Sequence, residues 1–339
     1  MNRRTWMTFL ATQLCVVSYA AVAAALPICQ PVSPAFTGGS VTVNNAAIVN
    51  PSSPVTGTVD ATGCDAAVYY GPGKSGSVTN ATIFGSIQAG IVNNGANVTI
   101  DSNSIYQIGD SPFTGAQHGY AIYMYGLNSP ASGNITRNIV WNYQKNGIVV
   151  RGAKSTIRYN TVIGQGPVNY IAANGIEVGY GSGSTIDSNR VFGNSYTGSN
   201  AATGAGVLLF GGPCYDGPAQ TNTSVTSNEL SGNDIGVSSN NLAADCVSSV
   251  NSATRNTIQS NTIRNNAIFN TSGGPLTSPS PSLPYQAGVS DQGKSDVIIA
   301  NSICGIGYTP QGSTPPYIFS VDTTLAIGTI SLLNFCGGN

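Results

Sequence analysis

The 339-residue sequence predicts an all-β solenoid, one domain in which the chain winds as a coil and each coil stacks on the last. Three observations carry this. First, one phrase recurs seven times: VTIDSNSI (98–105), GNITRNIV (133–140), STIRYNTV (155–162), STIDSNRV (184–191), TSVTSNEL (223–230), NTIQSNTI (256–263) and DVIIANSI (296–303). A phrase repeated every 20–50 residues or so marks a repeat architecture. Second, only some of its positions are kept. Around Asn103, Asn138, Asn160, Asn189, Asn228, Asn261 and Asn301, the residues three before and two after are aliphatic in every copy. The position two before holds Asp, Thr, Arg, Asp, Thr, Gln and Ile, a solvent-like column. Third, a second phrase follows most copies: AIYM (121–124), GIVV (147–150), GIEV (175–178) and GVLL (206–209), with GVSS (236–239) and GVSD (288–291) keeping its first half. Apolar and variable residues alternate there, the period of a strand with one buried face.

Each repeat therefore supplies at least two short strands separated by Gly, Asn and Ser turns. Stacked as parallel strands about 4.8 Å apart, like residues meet like above and below. The aliphatic columns fill the interior, and the asparagines form a ladder of amide hydrogen bonds. The reference asparagines lie 35, 22, 29, 39, 33 and 40 residues apart, so insertions fall at turns.

This pattern resembles the right-handed parallel β-helix of the pectin-lyase-like superfamily, over roughly residues 40–305. The resemblance implies a single-stranded helix of about nine or ten coils at 41–305. The alternative repeat fold, a leucine-rich horseshoe, lacks its Leu-rich consensus and helical segments here. Residues 26–40 are expected to cap the N-terminal end. Residues 306–339, with the apolar run TLAIGTISLL, are expected to close the other, because a bare last coil is an exposed sheet edge. The Pro/Ser-rich stretch 271–285 reads as an excursion from a coil.

The first 25 residues, with Arg3 and Arg4 before an apolar run ending AVAAA, read as a secretory signal peptide, with a loose twin-arginine match. A secreted or periplasmic protein without membrane insertion follows. Six cysteines remain after it: Cys29, Cys64, Cys214, Cys246, Cys304 and Cys336. They permit 15 connectivities; the solenoid favours neighbours one coil apart, 29–64, 214–246 and 304–336. No CxxC spacing points to a metal.

Only 7% of residues are charged, so outward charges are informative. Arg137, Lys145, Arg151, Lys154 and Arg158 cluster in 137–158, no Asp or Glu occurs from 111 to 176, and Tyr and Trp crowd the same region. Aligning the second phrase puts Tyr123, Val149 and Glu177 in one outward column, Tyr125 and Arg151 in the next, and His118 beside Lys145 in a third. With Arg158, these residues are the candidate substrate-binding set: aromatic faces for sugar rings and guanidinium groups for carboxylates. The alternative is a solvated face whose charges pair across strands, Asp187 with Arg158 and Glu229 with Arg190.

The fold resemblance admits polysaccharide hydrolases, lyases and epimerases. Hydrolysis asks for converging carboxylates, which are sparse here, and the polygalacturonase NTD and RIK motifs are absent. The RxPxxR motif and calcium-binding acidic cluster of pectate lyases are also missing, as is the DPHD motif of alginate epimerases. The expectation is an exported protein that binds or modifies a polysaccharide, an acidic one by its basic patch. If catalytic, it would be lyase- or epimerase-like, with no cofactor or metal and catalytic residues unassigned. A non-catalytic adhesive or structural solenoid is the alternative. A monomer with no nucleic-acid partner is expected.

Overall fold

The computed structural model describes residues 27–269, 285–310 and 317–336. The signal-like N-terminus and most of the Pro/Ser-rich excursion lie outside the described residues. The chain is a single-stranded right-handed parallel β-helix built of two long sheets, with the hand that parallel crossovers take almost without exception.

The front sheet takes one strand from each coil. Among the described residues its eleven strands run in chain order from Gln30–Gly38 and Val41–Val49 to Tyr285–Gln292 and Tyr317–Asp322. Only the first pairing is antiparallel. Among the described residues the back sheet has seventeen strands, most coils giving one before the asparagine turn and one after it. The expected register is the observed one: Ile135 stands between Ile100 and Ile157, and Ile176 between Ile148 and Val207. The aliphatic residues three before the seven reference asparagines are all fully buried. Each such side chain contributes about 1.5–3 kcal/mol by leaving water.

The asparagine ladder is continuous. The Asn160 side-chain amide donates to Asn189 Oδ1 at 2.9 Å and to the Ile135 carbonyl at 2.9 Å, while its backbone N–H donates to the same Oδ1 at 3.0 Å. Each rung lets the preceding residue sit in the left-handed region, as Tyr159 (φ 58°) and Ser188 (φ 56°) do. Outside glycine that conformation is uncommon; here the amide bonds hold the turn. The ladder has an eighth rung, Asn334, which receives the Asn301 amide at 2.8 Å. The repeated phrase does not reveal it because Ser331 occupies the aliphatic position.

All three neighbour disulfides are present: Cys29–Cys64, Cys214–Cys246 and Cys304–Cys336. The expected N-terminal cap is the outer strand of a hairpin, Gln30–Gly38 against Val41–Val49. Within the segment expected to close the C-terminus, the described residues add two strands in parallel, Tyr317–Asp322 and Ile330–Leu332. Among the described residues no helix is long and apolar enough to cross a membrane.

Candidate functional site

The front sheet aligns as the sequence requires. Val149 is flanked by Tyr123 and Glu177, and Arg151 by Tyr125 and Gly179. These columns do not line an open groove, which corrects the expectation. The tip of the N-terminal hairpin folds over them. Phe36 packs against Tyr69, Tyr123 and Tyr125, with ring centroids 5.3–6.2 Å apart. The Tyr123 hydroxyl donates to the Gly38 carbonyl at 3.1 Å, and Ser40 bonds Tyr120 Oη and the Gln117 carbonyl. The cover seats because a flat tyrosine face buries well against another ring. Gly39 is required at the tip: its φ is +56°, and a Cβ there would lie 2.2 Å from Arg151 Nη1.

Beneath this cover lies a buried ion pair. Arg151 donates from Nε (3.0 Å) and Nη2 (2.7 Å) to Glu177 Oε1, while Asn146 donates to Oε2 at 2.7 Å. The guanidinium carbon also stands 5.3–5.9 Å from the ring centroids of Tyr120, Tyr123 and Phe210. Burial disfavours the cation most, but the Glu177 charge and hydrogen bond, with Tyr120 and Tyr123, together outweigh it and raise the Arg151 pKa. Burial likewise pushes the Tyr120 and Tyr123 hydroxyls up, so both stay neutral donors. Lys145 points elsewhere. Its ammonium donates to the Ala172 carbonyl at 2.6 Å, and burial lowers its pKa against the opposing pull of Glu177.

One edge of the network reaches solvent. A crevice of about 390 Å³ opens over Arg151, walled by Tyr125, Tyr180 and Tyr215, with Leu127, Asn128 and Asp216 at its rim. Tyr180 packs on Phe210 at 4.7 Å, and Phe210 on Tyr215 at 5.5 Å. Tyr180 Oη donates to the Tyr215 carbonyl at 3.0 Å, and the Asn240 amide donates to Tyr215 Oη at 2.8 Å. The walls are thus fixed before any ligand arrives. The size falls in the usual range for small-molecule sites, about 300–1,000 Å³.

The other predicted site residues lie apart from this crevice. His118 Nε2 meets Asp110 at 2.8 Å and Nδ1 faces Gln88, on the turn before the front strand. Arg158 is on the back sheet, bound to Asp187 at 2.8 Å. Of the basic patch, Arg137, Arg151 and Arg158 each hold a carboxylate, Asp101, Glu177 and Asp187 respectively. Arg190 pairs with Glu229. The aromatics split between faces: Tyr106 stacks between Phe84 and Trp141 on the back sheet, while Tyr143 is buried and donates to Asn194.

Sequence reasoning missed Tyr180, Tyr215 and Asp216. The last two sit in the insertion that stretches the gap between Asn189 and Asn228 to 39 residues, beside Cys214. That lengthened gap was the available signal. Among the described residues no three His, Cys, Asp or Glu side chains gather as a metal site would require.

No protein-family model matches the chain, and no curated protein sequence matches it. Among solved structures it is similar to the Dettilon tailspike protein gp208, at 16% identity over 85% of this chain, TM-score 0.42. It is also similar to the A-module of the Azotobacter vinelandii mannuronan C-5 epimerase AlgE4, at 15% identity over 76%, TM-score 0.41. The AlgE6 A-module aligns at 13% identity over 79%, TM-score 0.21. The chain spans 61–65% of the length of those structures. Likeness at this level carries no functional information.

Proposed function

We propose that this is an exported, non-catalytic carbohydrate-binding solenoid that takes a sugar unit of a polysaccharide in the crevice over Arg151. The observation that carries the reading is the arrangement of Tyr125, Tyr180 and Tyr215 around one partly accessible guanidinium. Tyrosine rings offer apolar faces to the C–H side of a sugar. The rim groups Asn128 and Asp216 supply an amide and a carboxylate for its hydroxyls. Binding rather than catalysis is favoured because the nominated acid–base groups do not converge: His118 is engaged by Asp110, Lys145 by Ala172, and Glu177 lies sealed under Arg151 and Asn146. Export is supported by the three disulfides, which persist in oxidising compartments, and by the signal-like N-terminus.

The acidic preference read from the basic patch rests on less. A uronate carboxylate reaches Arg151 only by competing with Glu177, and Asp216 stands nearby with the same sign as the ligand. A neutral sugar meets neither obstacle. The test is titration calorimetry of the purified chain with neutral and uronate-containing polysaccharides at low and high salt, repeated with Tyr180→Ala and Tyr215→Ala. Binding weakened at least tenfold by either substitution supports the site, and insensitivity to salt assigns it to neutral sugars. Binding untouched by both substitutions, or none across the panel, sinks the reading. Unsaturated product absorbing near 235 nm would replace it with a lyase.

A further inference from the structure

We infer that a second cleft on the front sheet is an anion-accepting subsite, which takes an acidic sugar unit of the same glycan whose neutral unit sits over Arg151. This rests on the carbohydrate reading of that crevice. The cleft holds about 550 Å³ and lies between the bulge of the N-terminal hairpin and the strand ends beneath it. Pro34, Phe36 and Pro72 supply apolar wall, and Asn50, Tyr69, Lys74 and Asn94 supply polar groups. Asn128 lines both the cleft and the crevice, so one glycan can pass from one to the other. Lys74 follows the strand Ala66–Tyr70, and Arg151 ends the strand Asn146–Arg151, three places further along the front sheet. That sets them about 14 Å apart along the helix axis.

The two sites differ in sign. The crevice has Asp216 at its rim and Glu177 against its guanidinium. No Asp or Glu lines the cleft. Arg137, Arg151, Arg158 and Arg190 are each held by a carboxylate. Lys74 is exposed and pairs with none among the described residues. The other polar groups add donors. Asn50 Oδ1 accepts from the Gly71 N–H at 2.7 Å, which leaves the Asn50 amide hydrogens to donate. Tyr69 is 4% exposed, and its hydroxyl accepts from the Asn94 amide at 2.9 Å, which leaves its own proton to donate. Buried polar groups are ordinarily satisfied, yet Asn94 Oδ1 accepts nothing among the described residues. An occupant that completes this set brings anionic oxygens for the donors and a hydroxyl for the Asn94 carbonyl. A uronate or a sulfated sugar carries both, and an ammonium facing such an oxygen makes one of the stronger hydrogen bonds.

The test is titration calorimetry of the purified chain with length-matched oligosaccharides that span both sites: a neutral glucan, an oligogalacturonate and a sulfated galactan. The acidic ligands are expected to bind at least tenfold tighter than the glucan, about the contribution of one hydrogen bond to a charged group. The better of the two identifies the anion. Lys74→Gln should abolish that preference and its salt dependence, leaving glucan affinity and the melting temperature unchanged. Lys74→Arg should retain the preference. Equal affinity for neutral and acidic ligands, or a preference that survives Lys74→Gln, overturns the subsite while leaving the crevice reading intact. Acidic binding that needs Lys74 but is indifferent to Tyr180→Ala keeps the subsite and removes the crevice reading. Binding of none of the three overturns both.

Discussion

The middle coils and the last ones invert each other's chemistry. Between residues 120 and 211 an inward column of the front sheet is apolar, Met124, Val150, Val178 and Leu209, while the outward columns of the back sheet carry Arg158 and Asp187. In the last coils the same inward column continues as Ser239 and Asp291, and the outward columns become Ile299 and Leu332. One backbone geometry accepts both patterns. Stacking demands only that each residue suit its neighbours one coil away, so a column can change character where a whole neighbourhood changes with it. Asp291 is tolerated because the Gly293 N–H and the Thr329 hydroxyl donate to it, at 3.0 and 2.7 Å, and Asp296 lies beside it. Asp296 is in turn held by Ser239, Thr254 and Asn256.

The largest effect belongs to the one strong electrostatic feature of the middle coils. Arg151→Ala leaves Glu177 charged and buried with only amides for partners. Removing one member of a buried pair costs about 3–5 kcal/mol, and chemical denaturation should show a loss of that size. A loss near zero would mean that water enters the hairpin cover and that the middle of the front sheet is not sealed.

The end coils should instead respond to pH. Burial first, and the Asp296 charge second, push the Asp291 carboxyl up from 3.8 to about 7. Between those values the folded chain holds a proton that the unfolded chain has released, so stability falls as pH rises through this window and levels off above it. A shift of this size corresponds to at most about 4 kcal/mol. Asp101, Asp110 and Asp187 act in the opposite sense at lower pH. For each, burial raises the carboxyl, but hydrogen bonds outweigh it and hold the pKa below the ordinary value. Denaturation midpoints between pH 4.5 and 7.5 should decline for the parent and stay level for Asp291→Asn. A decline that survives the substitution places the titrating group elsewhere.

The ladder compares the two regions through the same residue. Asn160→Ala strips partners from the buried Asn138 amide and backbone N–H, both of which donate to Asn160 Oδ1 at 2.9 Å. Each orphaned donor costs about 1–3 kcal/mol. Asn334→Ala orphans the equivalent donors of Asn301, but at a part-buried rung that water can reach. It should cost clearly less. Equal losses would show that the last coil is as tightly sealed as the middle.

Why the fold was legible and the site was not follows from the same stacking. Ile157, Asn160 and Val162 meet their own kind one coil away, so the constraint repeats in the sequence and a short phrase displays it. The column alignment even put Arg151 and Glu177 one coil and one column apart. What lies over those columns is set by Phe36, Gly38 and Ser40, in a hairpin outside the repeat. The crevice walls come from Tyr180 and from Tyr215, which sits in an insertion. Neither has a repeated neighbour to announce it. The register of the last strand was likewise hidden: within TLAIGTISLL, Ile330 and Leu332 fall on the outward columns and Ser331 on the inward one.

The smallest effect is expected where charge is most conspicuous. Arg190 and Glu229 stand opposite each other on adjacent strands at 2.9 Å, with side chains 61% and 49% exposed. Water screens such a pair and both long side chains lose freedom in making it, so it is worth about 0.2–1 kcal/mol. A double-mutant cycle with Arg190→Ala and Glu229→Ala should give a coupling in that range that shrinks further in salt. A coupling several times larger would mean that outward charge ladders help hold the middle coils together. The switch from charged to aliphatic columns would then remove a source of stability from the last two coils. A small coupling would mean that the change from charged to aliphatic columns costs the last coils little.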